Sequence, residues 1–113
     1  MAKFSNPLRK VWAEGRTAVN GWLAVPSVIS AEAMAVAGWD VITVDLQHGT
    51  ADYSDLLALL PVIEKSGAAS MVRVPWVDEA SIMRTLDAGA MGIIAPMIET
   101  AADAERFVSA CLY

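Results

Sequence analysis

In "AGWDVITVDLQHG", residues 37–49, a small residue and a glycine precede a run of apolar residues. The run breaks into Asp45, Gln47 and His48 and stops at Gly49. Glycine suits a helix C-terminus because it enters the left-handed conformation without steric cost. A short, continuous apolar run reads as a parallel strand covered on both faces. The same junction recurs at Ser66-Gly67, before "AASMVRV", and at Ala88-Gly89, before "AMGIIAPM". "VNGWLAV" (19–25) supplies an earlier strand of the same kind.

Helices are expected at about 30–37, 53–66, 78–88 and 100–111, with Ser30, Ser54, Asp78 and Thr100 as N-caps. A leading helix is expected over Pro7–Ala13, with Pro7 in its first turn and Gly15 ending it. Pro61 should kink or divide the second repeat helix. The chain is therefore α/β, with about four parallel β/α units after a leading helix. Right-handed crossovers would place the strands in one parallel sheet. Two architectures satisfy this pattern: the first half of a TIM (β/α)8 barrel, or a small doubly wound sheet. In both, ligands bind at the carboxyl ends of the strands.

The 113 residues suffice for one domain with a core, and 56% hydrophobic against 19% charged residues excludes a disordered chain. A net charge of −5 makes nucleic acid and anionic membranes poor partners. No apolar segment approaches the ~18 to 20 residues of a membrane span. The basic stretch Met1–Lys10 lacks a following apolar run, so no signal peptide is expected. The single cysteine, Cys111, excludes an internal disulfide and fits a reducing, cytoplasmic location as an inert helix residue.

At the strand ends stand Asp45, with Gln47 and His48 just beyond it, and Arg73 in "MVRVPW"; Pro96 and Glu99 follow the fourth strand. Gly38 to Asp45 is seven residues and Gly67 to Arg73 is six, so the two charges lie at similar height. Each also has a plainer role. Asp45 and Arg73 suit a structural ion pair on adjacent strands, His48 a loop or capping position, and Glu99 the start of the next helix. The four tryptophans are core or interface residues by default, but Trp22 and Trp76, close to expected strand ends, are candidates to wall a pocket. There is no Gly-rich phosphate loop, GxSxG elbow or CxxC pair, so dinucleotide hydride transfer and serine or cysteine hydrolysis have little support. A base, a cation and an acid at one rim suit proton abstraction beside a carbonyl, with the cation holding the enolate oxygen.

The ordered set D-x-x-H-G, R-V-P-W and A-G-x-x-G-I-x-x-P-M, from Ala18 onward, resembles the N-terminal half of the HpcH/HpaI aldolases. These are class II, metal-dependent pyruvate aldolases on a β/α barrel. The resemblance implies retro-aldol cleavage of a 4-hydroxy-2-oxo acid to pyruvate and an aldehyde. It makes His48 the general base, Arg73 the clamp on the pyruvate oxygens, and Asp45 the partner of the substrate hydroxyl. It also makes Asp87 of "LDAG" a catalytic residue that raises the basicity of the histidine. The simple repeat puts Asp87 on the opposite rim, so it would act across a subunit interface or be structural.

The resemblance further implies a divalent metal (Mg²⁺, Mn²⁺ or Co²⁺), held by a Glu and an Asp from later strands, so no metal ligand is assigned here. Many members carry a glutamate where this chain has Gln47. The chain is expected to form a half-barrel, residues 1–113, without the C-terminal half. Its open strand edges are expected to drive self-association, or to pair within a longer protein. The alternatives are a CoA-ester lyase of the citrate lyase β type, which would want a basic groove, and a non-catalytic assembly module.

Overall fold

Backbone dihedrals bear out the punctuation first. In the computed structural model, which describes residues 5–113, Gly38 and Gly67 adopt φ of +87° and +89° directly after helices. An L side chain there would be strained, so the chain turns from helix into strand at these points. The elements are α1 (Pro7–Ala13), β1 (Asn20–Leu23), α2 (Val28–Ala35), β2 (Val41–Asp45), α3 (Tyr53–Lys65), β3 (Ala69–Arg73), α4 (Glu79–Asp87), β4 (Gly92–Ile94) and α5 (Ala101–Ala110). The first four residues of the basic stretch Met1–Lys10 lie outside the described residues.

All strand pairs are parallel and the order is β1-β2-β3-β4. A doubly wound sheet reverses its strand order and carries helices on both faces. This sheet keeps sequential strand order, and only the short α1 lies off the face that carries the other helices. Residues of α2, α3, α4 and α5 join Ile42, Val44 and Val72 in one core on one face. Ile42, Val44, Leu56, Ile63, Val72 and Ile82 are fully buried there. Each such side chain contributes about 1.5–3 kcal/mol relative to exposure. On the opposite face α1 covers only the amino end of the sheet, where Leu8 packs on Val41 and Ala69.

Side chains on that inner face meet along a diagonal. Asn20 is in register with Val41, yet its amide exchanges hydrogen bonds with Thr43, at 2.9 and 3.1 Å. Trp22 is in register with Thr43, yet its indole reaches Asp45. The two-residue offset matches strands tilted across a barrel wall, and the four parallel strands in sequential order resemble the first half of a β/α barrel.

Two helix starts differ from expectation. Ser27, not Ser30, caps α2 and accepts from the Ser30 amide; Asp52, not Ser54, caps α3 in a capping box with Asp55. Ser30 and Ser54 supply amide donors inside the first turn, and the residue that accepts them sits earlier in the chain. Asp78 and Thr100 cap α4 and α5 as expected. Pro61 neither divides nor ends α3. It lies on the exposed side of the helix, so the Leu57 carbonyl it leaves without a donor faces water. No tryptophan is in the core: Trp12, Trp22, Trp39 and Trp76 are all exposed.

Candidate active site

Strand register brings the site together. Asp45 and Arg73 are direct partners across β2 and β3, each the last residue of its strand. Both therefore project at the carboxyl rim of the inner face. Arg73 donates from Nε to Asp45 Oδ1 at 2.9 Å and from Nη2 to Oδ2 at 2.6 Å. This side-on, two-point pairing is the stronger, oriented form of the arginine–carboxylate contact. Trp22 of β1 donates its indole N–H to Asp45 Oδ2 at 3.2 Å, and its ring centroid lies 4.9 Å from the Arg73 guanidinium carbon. The ion pair anticipated as a structural alternative is thus present, and it is part of a three-residue cluster.

The β2–α3 loop wraps round the same carboxylate. The amides of Gln47 and His48 donate to Asp45 Oδ1 at 3.0 and 3.3 Å. Thr50 donates its amide to the Ala24 carbonyl at 2.9 Å, pinning the far end of the loop to β1. A Cβ on Gly49 would collide with the backbone carbonyls of Asp45 and Ala24. The spacing D-x-x-H-G therefore has a physical cause: aspartate to turn the loop, glycine to press it down, and His48 lifted between them. The His48 side chain is exposed at the rim.

Asp45 is 3% exposed and accepts from five N–H groups. The Arg73 guanidinium, then the Trp22 indole and the loop amides, hold its carboxyl well below the usual carboxylate range, against the opposing effect of burial. Asp45 in turn raises the affinity of Arg73 for its proton. An ionised, fully engaged carboxylate has little acceptor capacity left, since two oxygens offer about four lone-pair sites. Among the described residues, no three of His, Cys, Asp or Glu form a set that could hold a metal ion.

The other candidates stand apart. Asp87 closes α4 and accepts a hydrogen bond from the Tyr113 hydroxyl, whose oxygen also lies 3.1 Å from the Met83 carbonyl. Because α4 runs antiparallel to the strands, Asp87 lies towards the rim opposite His48. The contact with Asp87 raises the Tyr113 hydroxyl above its ordinary value. Glu99 donates its amide to Asp103 at the head of α5. Burial pushes the Cys111 thiol up, away from reactivity. Trp76 is 57% exposed on the β3–α4 loop.

The close seating of Gly49 on Asp45 and Ala24, and the stacking of Arg84 on Tyr53 at 4.0 Å, were not anticipated from the sequence. A glycine after a strand end is a weak signal alone, and cation–π pairs leave no local pattern. Arg84 and Tyr53 help line a cavity of about 200 Å³ between the β2–α3 loop and α4, and none of Trp22, Asp45 or Arg73 lines it.

Residues 20–113 match the HpcH/HpaI aldolase/citrate lyase family. The chain is 44% identical over 108 residues to a hydroxypyruvate/pyruvate aldolase of Rhizorhabdus wittichii, covering 96% of this chain and 43% of that protein. It is 40% identical over 109 residues to a 4-hydroxy-2-oxovalerate aldolase of Rhodococcus jostii, covering 96% and 42%. The crystal structure of an HpcH/HpaI aldolase/citrate lyase family protein from Burkholderia cenocepacia superposes with a TM-score of 0.84 at 34% identity, over 94% of this chain and 42% of that one. The chain thus spans less than half the length of the relatives it matches. By fold, by the order of its motifs and by these likenesses, it belongs to the HpcH/HpaI aldolase/citrate lyase family.

Proposed function

We propose that this chain is the amino-terminal half of a β/α barrel that cleaves a 4-hydroxy-2-oxo acid to pyruvate and an aldehyde. The observation that carries this reading is an arginine fixed at the strand-end rim beside a loop that presents the chain's one histidine. His48 takes the proton of the substrate's 4-hydroxyl. The bond between carbons 3 and 4 breaks, the aldehyde leaves, and the electron pair passes to the enolate of pyruvate. Arg73 faces the carboxylate and the developing enolate oxygen, where a preorganised cation lowers the barrier. The enolate carbon then takes up a proton, and His48 releases the one it holds, directly to that carbon or through water, which restores the base.

The resemblance suggests Asp45 as the partner of the substrate hydroxyl, but five N–H groups already occupy its carboxylate, so it would take that role only by giving up one of them. Asp87 enters this reading only through association, since a second copy would have to bring it to His48. β1 and β4 each have one neighbour in the sheet, and their open edges are where copies, or later strands, would join. The divalent metal of the resemblance does not fit this chain's own residues: Asp45 is fully engaged, and among the described residues no three of His, Cys, Asp or Glu form a set that could hold it. No step is therefore routed through it.

Exchange of pyruvate methyl protons with D₂O, followed by NMR, tests the reading, with and without Mg²⁺. Exchange by the 113-residue chain that falls at least ~100-fold in His48→Ala supports the assigned base. A folded chain that catalyses no exchange under either condition refutes enolisation by this half alone.

A further inference from the structure

We propose that Trp22 is a positioning residue: its indole N–H and ring face hold Asp45 and Arg73 so that only one edge of the guanidinium is offered to an anion. The identity of that anion, a 2-oxo acid, rests on the aldolase reading; the geometry does not.

A guanidinium carries five N–H donors in a rigid, planar fork. The Nε and Nη2 edge is committed to the two oxygens of Asp45, at 2.9 and 2.6 Å. Arg73 makes no other side-chain hydrogen bond among the described residues, so its Nη1 donors and one Nη2 donor remain on the neighbouring edge. Two oxygens of a 2-oxo acid span such an edge. The Arg73 side chain is 23% exposed, which leaves that edge reachable.

Trp22 acts on both partners at once. It donates to Asp45 Oδ2, the same oxygen that accepts from Nη2, and its ring lies against the guanidinium. Rotation of Arg73 out of its plane would lose the stacking, and rotation of Asp45 would lose the indole bond. Core packing does not account for so large a side chain, since Trp22 is 43% exposed. Trp12 and Trp76 are also exposed, at 59% and 57%, and their indoles have no polar partner among the described residues. Trp22 differs from them in being tied to charge.

The test uses the ¹⁵N-labelled 113-residue chain and its Trp22→Phe and Trp22→Leu variants, with Arg73→Lys to assign the Arg73 Nε–H resonance. Exchange of that N–H with water is measured, together with titration by pyruvate. Trp22→Leu removes donor and ring and is expected to speed exchange at least ~10-fold, the scale of a bond to a charged group plus a stacked ring. Trp22→Phe keeps a ring face and should fall between, and pyruvate affinity should weaken in the same order. An unchanged exchange rate in folded Trp22→Leu overturns the proposal. If that variant loses its dispersed spectrum, an unchanged rate in folded Trp22→Phe overturns it instead. Exchange rates in the expected order, from a wild-type chain that does not bind pyruvate, uphold the positioning role and refute the 2-oxo acid.

Discussion

The two ends of one sheet face are built on opposite principles. At the amino end hydrocarbon meets hydrocarbon, with Leu8 of α1 seated on Val41 and Ala69. At the carboxyl end, four residues further along the same strands, Asp45 and Arg73 meet under Trp22. Apolar contact is non-directional and tolerates small shifts. A desolvated ion pair does not, and its net contribution to stability is commonly near zero even when its loss is costly. The difference teaches that the rim pair is held for orientation, while the amino end holds the strands together.

The comparison can be broken most sharply at Arg73. Arg73→Ala leaves the Asp45 carboxylate buried without its cation and should cost about 3 kcal/mol, the low end for a broken buried pair because Arg73 is partly exposed. Urea unfolding measures this, and a loss near zero would make the pair a surface contact. At the other end, Leu8→Ala should cost roughly 2 kcal/mol by the same assay, through lost burial and an incompletely closed cavity. It should leave the Trp22 indole resonance unmoved.

Gly49→Ala pushes the β2–α3 loop off Ala24 and Asp45 and should cost about 1–2 kcal/mol. It should also shift the His48 ring resonances, which a purely global destabilisation would not do. The last test reads a slope in acid rather than a loss at neutral pH. The folded-state value of Asp45 lies below its unfolded value, so its contribution is fully present above the ordinary carboxylate value of about 3.9 and is lost progressively as pH falls below it. Urea midpoints followed into acid should therefore drop less steeply in Asp45→Asn than in the wild type.

Much of the site was legible because β/α repeats carry their own ruler. The distances from Gly38 and Gly67 put Asp45 and Arg73 at one height, and they are register partners. The helix caps were less legible. Ser30 and Ser54 are good capping residues by type, but Ser27 and Asp52 precede the same turns, and only backbone geometry decides between them. Pro61 reads as a breaker until its exposed face is known.

The sequence by itself determined the alternation of strand and helix, the junctions at glycine and the set of polar groups at the strand ends, because these follow from local conformational preference and apolar periodicity. It left open whether the sheet was doubly wound or an arc of a barrel. Only tertiary structure settled that, since strand order and the gathering of α2, α3, α4 and α5 on one face are long-range facts. It also decided that Trp22 faces Arg73, and that Asp45 has spent its acceptors. Those depend on how side chains from three strands, distant in the chain, converge on one another across the inner face.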